Sequence, residues 1–293
     1  MIEVSIIVPT FNSEKYALNL CKSIKEQTFT NFEVIIIDNN SLDETLLKLK
    51  KISYSDKRFK YYNISNEGSI AKSRNYGITK SIGRYIAFHD SDDFWFKNKL
   101  EVSIREIRKS DFTYHSLRTH NKNNIFDQRK LRSYSLLENK SFKQLMTIGN
   151  PINTSSVLCK REIFEVVKFC EEKKFITVED FECWINISRN NFRFKRIDKV
   201  LGYYNISSQN TSVTYVKNPL KFIHIFNKHK KYLFNDNLRV LSKNHFRYLM
   251  AYSLKKRELK KKYFYYLLFS KILKSKLKII LRLFFTLFYK KSI

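Results

Sequence analysis

Acidic residues are scarce in this 293-residue chain: 27 Asp+Glu face 56 Lys+Arg, a formal net charge of +29. Glycine (5) and proline (3) are scarcer still, while 43% of residues are hydrophobic and 15% aromatic. That balance excludes disordered, collagen-like and flexible-linker architectures. The chain is a folded protein, long enough for one large domain or a domain with an extension. The four cysteines, Cys21, Cys159, Cys170 and Cys183, show neither C-x-x-C spacing nor a small-domain disulfide framework. Zinc is therefore not expected and a reducing compartment is. The opening, MIEVSIIVPTFN, enters a strand-like apolar run without a basic segment followed by a long apolar one. No signal peptide is expected, and the protein is expected to face the cytoplasm.

Charge is unevenly spread. Residues 217–293 hold 21 Lys+Arg and 2 acids, leaving +10 for residues 1–216. The composition thus separates a mixed body, 1–216, from a basic extension, 217–293, whose charge suits phosphate-bearing partners, either nucleic acid or anionic lipid. In the extension Lys271, Lys274, Lys278 and Arg282 fall on one helical face, with Leu273, Leu277, Ile280, Leu281 and Phe284 filling much of the rest. The uncharged run Leu283–Tyr289 is far shorter than the roughly 20 residues of a membrane-spanning helix. The pattern is that of an interfacial helix on the inner face of the plasma membrane, or of a helix packed on the body. No nucleic-acid module is recognisable, so nucleic acid is not expected as a partner.

In the body, Val4–Pro9 reads as a strand buried on both faces, followed by a helix to about Gln27 capped by Asn12 or Ser13, with Ala17, Leu18, Cys21 and Ile24 on its apolar side. Phe32–Asp38 is a second buried strand, Leu42–Ile52 a helix, and Phe59–Tyr62 a third strand. A helix over Ser69–Ser81 is expected to end at Gly83 in a left-handed cap. Tyr85–His89 forms a fourth strand running into Asp90-Ser-Asp-Asp93. This alternation predicts right-handed crossovers and a parallel sheet. Beyond about 110 the pattern loosens: strands at Phe112–His115, Ser155–Lys160, Phe192–Ile197 and Val200–Tyr204, and helices at Phe142–Ile148, Arg161–Lys168 and Asp180–Asn190.

Ligands of parallel sheets bind outside the carboxyl ends of the strands, which is where Asp38 and Asp90 fall. A single Asp at a strand end is usually an ordinary turn former. Two on one rim, with Asp92 and Asp93 adjacent, point further, because neighbouring carboxylates repel unless a cation or strong donors neutralise them. A D-x-D at the end of a buried strand suits Mg²⁺ or Mn²⁺ bridging the phosphates of a substrate, where the ion would stabilise a departing diphosphate. None of the six histidines shows ligand spacing, and no G-x-S-x-G elbow is present.

Five ordered blocks resemble glycosyltransferase family 2, the inverting transferases of GT-A fold. They are Ser5-Ile-Ile-Val-Pro-Thr-Phe-Asn12, Gln27-Thr-Phe, Phe32 through Thr45, Asn66-x-Gly68 with Ala71-x-Ser-Arg-Asn-x-Gly77, and Phe88-x-Asp-Ser-Asp-Asp93. The resemblance implies an α/β GT-A domain, a Rossmann-like, mostly parallel sheet with flanking helices, whose nucleotide part is about 1–110 and acceptor part about 111–216. It places Pro9 and Phe11 near the base and Asp38 and Asn39 on the base edge. Gly68, Arg74 and Ser91 join the nucleotide-sugar site, with Asp90 toward ribose and metal, Asp92 as principal metal ligand and Asp93 in support. Many members carry Asp-Asp-Gly-Ser where this chain has Asp38-Asn39-Asn40-Ser41, and Asn donates as well as accepts.

Glu179-Asp180-x-x-x-Trp184 resembles the family's base-bearing segment, which makes Asp180 the expected base, with Glu179 and Trp184 supporting. Asp180 could equally cap the helix it begins, and Trp184 could be core rather than a sugar platform. Gly149–Ser156 resembles the loop beside the acceptor. Asn205 and Ser207 stand where the family's late Y-R-x-H-x-x-S loop has Arg and His. The expected function is transfer of a sugar from a nucleotide-diphosphate donor, UDP-linked by preference, to a glycan or lipid-linked hydroxyl in surface-polysaccharide synthesis. A metal-dependent nucleotidyltransferase and a non-catalytic domain binding anionic surfaces are the alternatives.

Overall fold

The computed structural model describes residues 1–120, 130–131, 133–206 and 220–233. Its sheet strands are β1 (Val4–Thr10), β2 (Phe32–Asp38), β3 (Phe59–Asn63), β4 (Tyr85–Phe88), β5 (Phe94–Trp95), β6 (Phe112–His120), β7 (Leu158–Lys160) and β8 (Phe194–Asn205). They lie in the order β3-β2-β1-β4-β7-β6-β8-β5. The first four are parallel, β7 runs antiparallel to β4 and β6, β8 is parallel to β6, and β5 closes the edge antiparallel to β8.

Helices α1 (Glu14–Lys25), α2 (Thr45–Ser55) and α4 (Lys99–Ile107) pack on one face of the sheet, and α3 (Ile70–Lys80), α5 (Ser141–Ile148) and α7 (Glu179–Arg189) on the other. The alternation of side chains along a strand makes this visible. Ile7, Ile35, Ile37, Ile86 and Phe88 belong to the core under α3 and α7, whereas Val4, Ile6, Val8, Val34 and Ile36 belong to the core under α1 and α2. At about 1.5–3 kcal/mol per buried aliphatic or aromatic side chain, these two layers dominate the stability of the body.

The structure corrects several sequence expectations. The apolar side of α1 is Ala17, Leu20, Cys21 and Ile24, while Leu18 is 64% exposed, because steps of about 100° gather positions 20, 24, 17 and 21 on one arc of the helix and leave position 18 outside it. Ser13 occupies the cap position, yet its hydroxyl turns to the Phe11 carbonyl and to Ser91 instead of capping. Gly83 is not left-handed: α3 ends at Lys80 with Ser81 extended. A Cβ at Gly83 would lie 2.5 Å from the Ser5 backbone nitrogen, so close approach is what requires glycine there. The two strands expected over 192–204 form the single irregular strand β8, and the helix expected over 161–168 shrinks to the one turn α6 (Ile163–Val166). Residues 154–156 form a 3-10 turn ahead of β7.

Past the body, α8 (Leu220–His229) is the described start of the basic extension; it buries Ile225 in the core and meets α7 through the Phe181–Phe222 ring contact. The interfacial helix expected around 271–284 lies outside the described residues. Among the described residues no helix is long and apolar enough to cross a membrane.

Candidate active site

A cavity of about 1140 Å³ opens at the carboxyl ends of β1, β2 and β4. Pro9, Phe11, Asn39 and Gly68 line it, as do Arg74, Asp90, Ser91 and Asp92. Glu179 and Asp180 line the same cavity, together with Asn150–Thr154. Ten of the thirteen expected site residues therefore face one cavity; Asp38, Asp93 and Trp184 do not.

Register explains the wall at the ends of β1 and β2. Thr10 pairs with Asp38 across the β1–β2 ladder, so both chains leave the sheet together. Asp38 is fully buried, and its carboxylate accepts from the Thr10 hydroxyl at 3.0 Å and from the Ser41 amide at 2.9 Å. It braces the turn behind the wall instead of lining it. Asn40 adopts φ +50, where many family members place glycine, a conformation Asn tolerates better than most residues. Asn39 does face the cavity, and its side-chain oxygen accepts from the Asn66 amide at 2.8 Å.

The acidic turn follows β4. Ser155 Oγ accepts from the Asp90 amide at 3.0 Å, and the Ser155 carbonyl accepts from the Trp95 indole at 2.7 Å, so β7's lead-in loop fixes the turn. Arg74, 3% exposed, donates to Asp90 at 3.0 Å and to Glu179 at 2.9 Å. This guanidinium bridges the two carboxylate-bearing walls, a role that sequence reasoning had not assigned to it. Burial and the neighbouring Asp90 raise Asp92 to about 6. Burial, then Asp92 and Asp90, hold Asp93 well above the carboxylate range. Asp93 points away from the main cavity, accepting from the Asn205 amide at 3.1 Å and lining a smaller cavity of about 330 Å³.

Asp180 is the second residue of α7, with Val178 at the cap position. Its carboxylate accepts from the Thr154 hydroxyl at 3.2 Å and from the Phe181 amide at 2.6 Å. Burial above all, then Glu179, lifts it to about 7, with Arg74 opposing. Trp184 is fully buried against Phe88, Phe112 and Phe169, so it is core. Sequence reasoning missed Thr10, Thr154, Ser155 and Thr177, whose roles depend on partners far along the chain.

No cluster of three or more His, Cys, Asp and Glu side chains with metal-holding geometry occurs among the described residues. The donor set nonetheless fits a hard divalent cation: among those residues no cation pairs with Asp92, and Asp90 commits one oxygen to Arg74. Mg²⁺ or Mn²⁺ bound by two carboxylates completes its shell with substrate phosphate and water.

Several known proteins are similar to this chain. An uncharacterised glycosyltransferase of Rickettsia conorii is 34% identical over 205 residues, covering 70% of this chain and 33% of the relative. The chain spans about a third of the length of the Rickettsia relatives. The Escherichia coli UDP-Glc:alpha-D-GlcNAc-diphosphoundecaprenol beta-1,3-glucosyltransferase WfgD is 30% identical over 64% of this chain and 70% of its own. Among solved structures, S. aureus TarS in complex with UDP-GlcNAc superposes with a TM-score of 0.64 at 24% identity, over 87% of this chain and 74% of that one. The Pyrobaculum calidifontis mannosyltransferase PcManGT, in complex with GDP-Man and Mn²⁺, gives 0.65 at 15% identity, over 85% and 72%. At these identities the structural likenesses establish the fold, GT-A. A family model for Glycosyl transferase family 2 matches residues 5–167, more than half of the sequence, and with the strand-end acidic turn and the shared cavity it closes the question of kinship: the chain belongs to glycosyltransferase family 2.

Proposed function

We propose that this chain transfers a sugar, with inversion, from a nucleotide-diphosphate sugar to a hydroxyl group. The observation that carries the reading is the shared cavity: Asp90, Asp92 and Asp180 all line one space of about 1140 Å³, a volume that admits a sugar nucleotide. Family membership supports the reaction class, and the UDP-sugars named for WfgD and TarS favour a UDP-linked donor. A divalent cation held by Asp92 and Asp90 would neutralise charge building on the leaving diphosphate.

The protein's own groups supply the rest. Asp180, poised near neutrality, accepts the proton of the incoming hydroxyl, whose oxygen bonds to the anomeric carbon. The bond from that carbon to the diphosphate breaks on the opposite side, and the nucleoside diphosphate leaves. Thr154 orients Asp180, while Arg74 holds Asp90 against Glu179 so that both walls keep their spacing. A lipid-linked or glycan acceptor at the inner membrane face suits the diphosphoundecaprenol substrate of WfgD and the basic extension.

The test is a panel of sugar nucleotides incubated with Mg²⁺ or Mn²⁺, recording release of nucleoside diphosphate with water as acceptor. UDP release from one UDP-sugar, lost in Asp180→Asn, is the expected result. Pyrophosphate release from a triphosphate would replace this reading with nucleotidyl transfer. Flotation of the full chain with anionic vesicles, and not with zwitterionic ones, is expected if the membrane reading holds.

A further inference from the structure

The segment that delivers Asp180 to the cavity contains a backbone conformation that needs holding. Thr177 has φ +77, and a β-branched residue occupies that region only when its surroundings impose it. The contacts that bracket this turn come from α8, beyond the part of the chain matched by the family model. Ahead of the turn, Lys221 donates to the Ile176 carbonyl and, at 3.1 Å, to the Thr177 hydroxyl. Behind it, Glu182 is fully buried and accepts from Lys228 at 2.6 Å, with His229 Nε2 3.2 Å from the same oxygen. Asp180 lies between these two anchors. Were α8 there only to cover apolar surface, Ile225 in the core and Phe222 against Phe181 would suffice; a lysine placed on the strained residue itself has a local purpose.

We infer that α8 is a positioning element for the Asp180 carboxylate, with Lys221 holding the left-handed turn at Thr177 and the Glu182–Lys228–His229 cluster holding the first turn of α7. The inference rests on the reading of Asp180 as the base. It makes the start of the basic extension part of the catalytic unit, so that whatever the extension binds is mechanically joined to the base.

The experiment uses the full chain, the fastest-hydrolysed sugar nucleotide of the panel with Mn²⁺, and UDP as the binding probe. Lys221→Met is expected to lower kcat for hydrolysis by roughly 10- to 100-fold, the scale of an ångström-sized misplacement, with UDP affinity unchanged within about twofold. Lys221→Arg, which still donates, is expected to keep most of the rate. Adding Thr177→Gly to Lys221→Met should recover much of the lost rate, because glycine takes positive φ without strain. An unchanged kcat in Lys221→Met overturns the inference. So does a fall in UDP affinity parallel to kcat with no recovery by Thr177→Gly, since that pattern marks general loss of structure. Asp180→Asn separates the two layers: if it hydrolyses donor normally, the base assignment fails, whereas loss in Asp180→Asn with a normal Lys221→Met removes only the positioning role.

Discussion

Strands β1 and β2 are buried along all seven residues each, whereas between Gly149 and Val178 the longest regular element is a four-residue helix. The first region carries the wall proposed to take the nucleotide, and the second leads into α7, whose second residue is Asp180, the proposed base. On the nucleotide side a ladder of paired residues fixes where each chain leaves the sheet, and the acidic turn inherits that position. On the base side individual contacts do the same work: Thr154 on Asp180, Arg74 on Glu179, Lys221 on Thr177. Loss of one contact should therefore disturb the base wall more than the nucleotide wall.

The largest expected effect follows from removing the base. Asp180→Asn should lower hydrolysis and transfer by about 10²- to 10⁴-fold, the usual contribution of general-base catalysis, while UDP binding measured by calorimetry stays near that of the unaltered protein. Equal loss of binding would show that the two walls are not separable. Asp180 must also be ionised to act, so kcat should decline as pH is lowered through about 7. Stability runs the other way. The folded-state value lies above the ordinary 3.8, so the folded protein holds this proton more tightly and loses stability as pH rises from about 4 through 7. Asp180→Asn should accordingly raise Tm at pH 8 and leave it nearly unchanged at pH 4.

Next comes the nucleotide wall. Asp92→Asn should weaken Mn²⁺-dependent UDP binding by roughly 10- to 100-fold and abolish the difference between assays with and without EDTA, as expected on losing a principal oxygen ligand. A variant that binds UDP normally and still responds to EDTA would move the cation elsewhere.

Arg74 joins the regions, and its replacement should blur the contrast between them. Arg74→Gln leaves Glu179 buried without its cation, a loss of about 3–5 kcal/mol for a broken buried pair. Urea unfolding should register that cost, and the acid limb of the kcat profile should move upward because Arg74 opposes the rise at Asp180. The smallest functional effect belongs to Trp184→Phe. It trims the core by one ring, so Tm should fall with kcat and UDP affinity nearly constant; a selective fall in kcat would restore Trp184 to the site.

The parallel half of the fold was legible from local pattern. Each of β1, β2 and β4 is a short apolar run, β2 ending in an aspartate and β4 in an acidic turn while β1 continues one residue past Pro9, and burial on both faces leaves such runs few alternatives to a parallel sheet. That Asp90 and Asp92 follow a strand end was legible through the same logic, and that Asp180 shares their cavity followed from the family resemblance. The caps at Ser13 and Gly83 were misread because a serine's hydroxyl partner and a glycine's nearest neighbour, Ser91 and Ser5, lie 78 residues away in both cases.

By itself, then, the sequence determined the α/β alternation, the acidic turn at a strand end and the pairing of Glu179 with Asp180, since each follows from hydrophobic period, turn chemistry or adjacency along the chain. Tertiary structure alone decided that Arg74 spans two carboxylates, that Asp38 braces while Asn39 faces the cavity, that Trp184 is core, and that Lys221 of α8 donates to the turn at Thr177. Those are contacts between residues tens of positions apart, and their direction is set by packing, which no local pattern encodes.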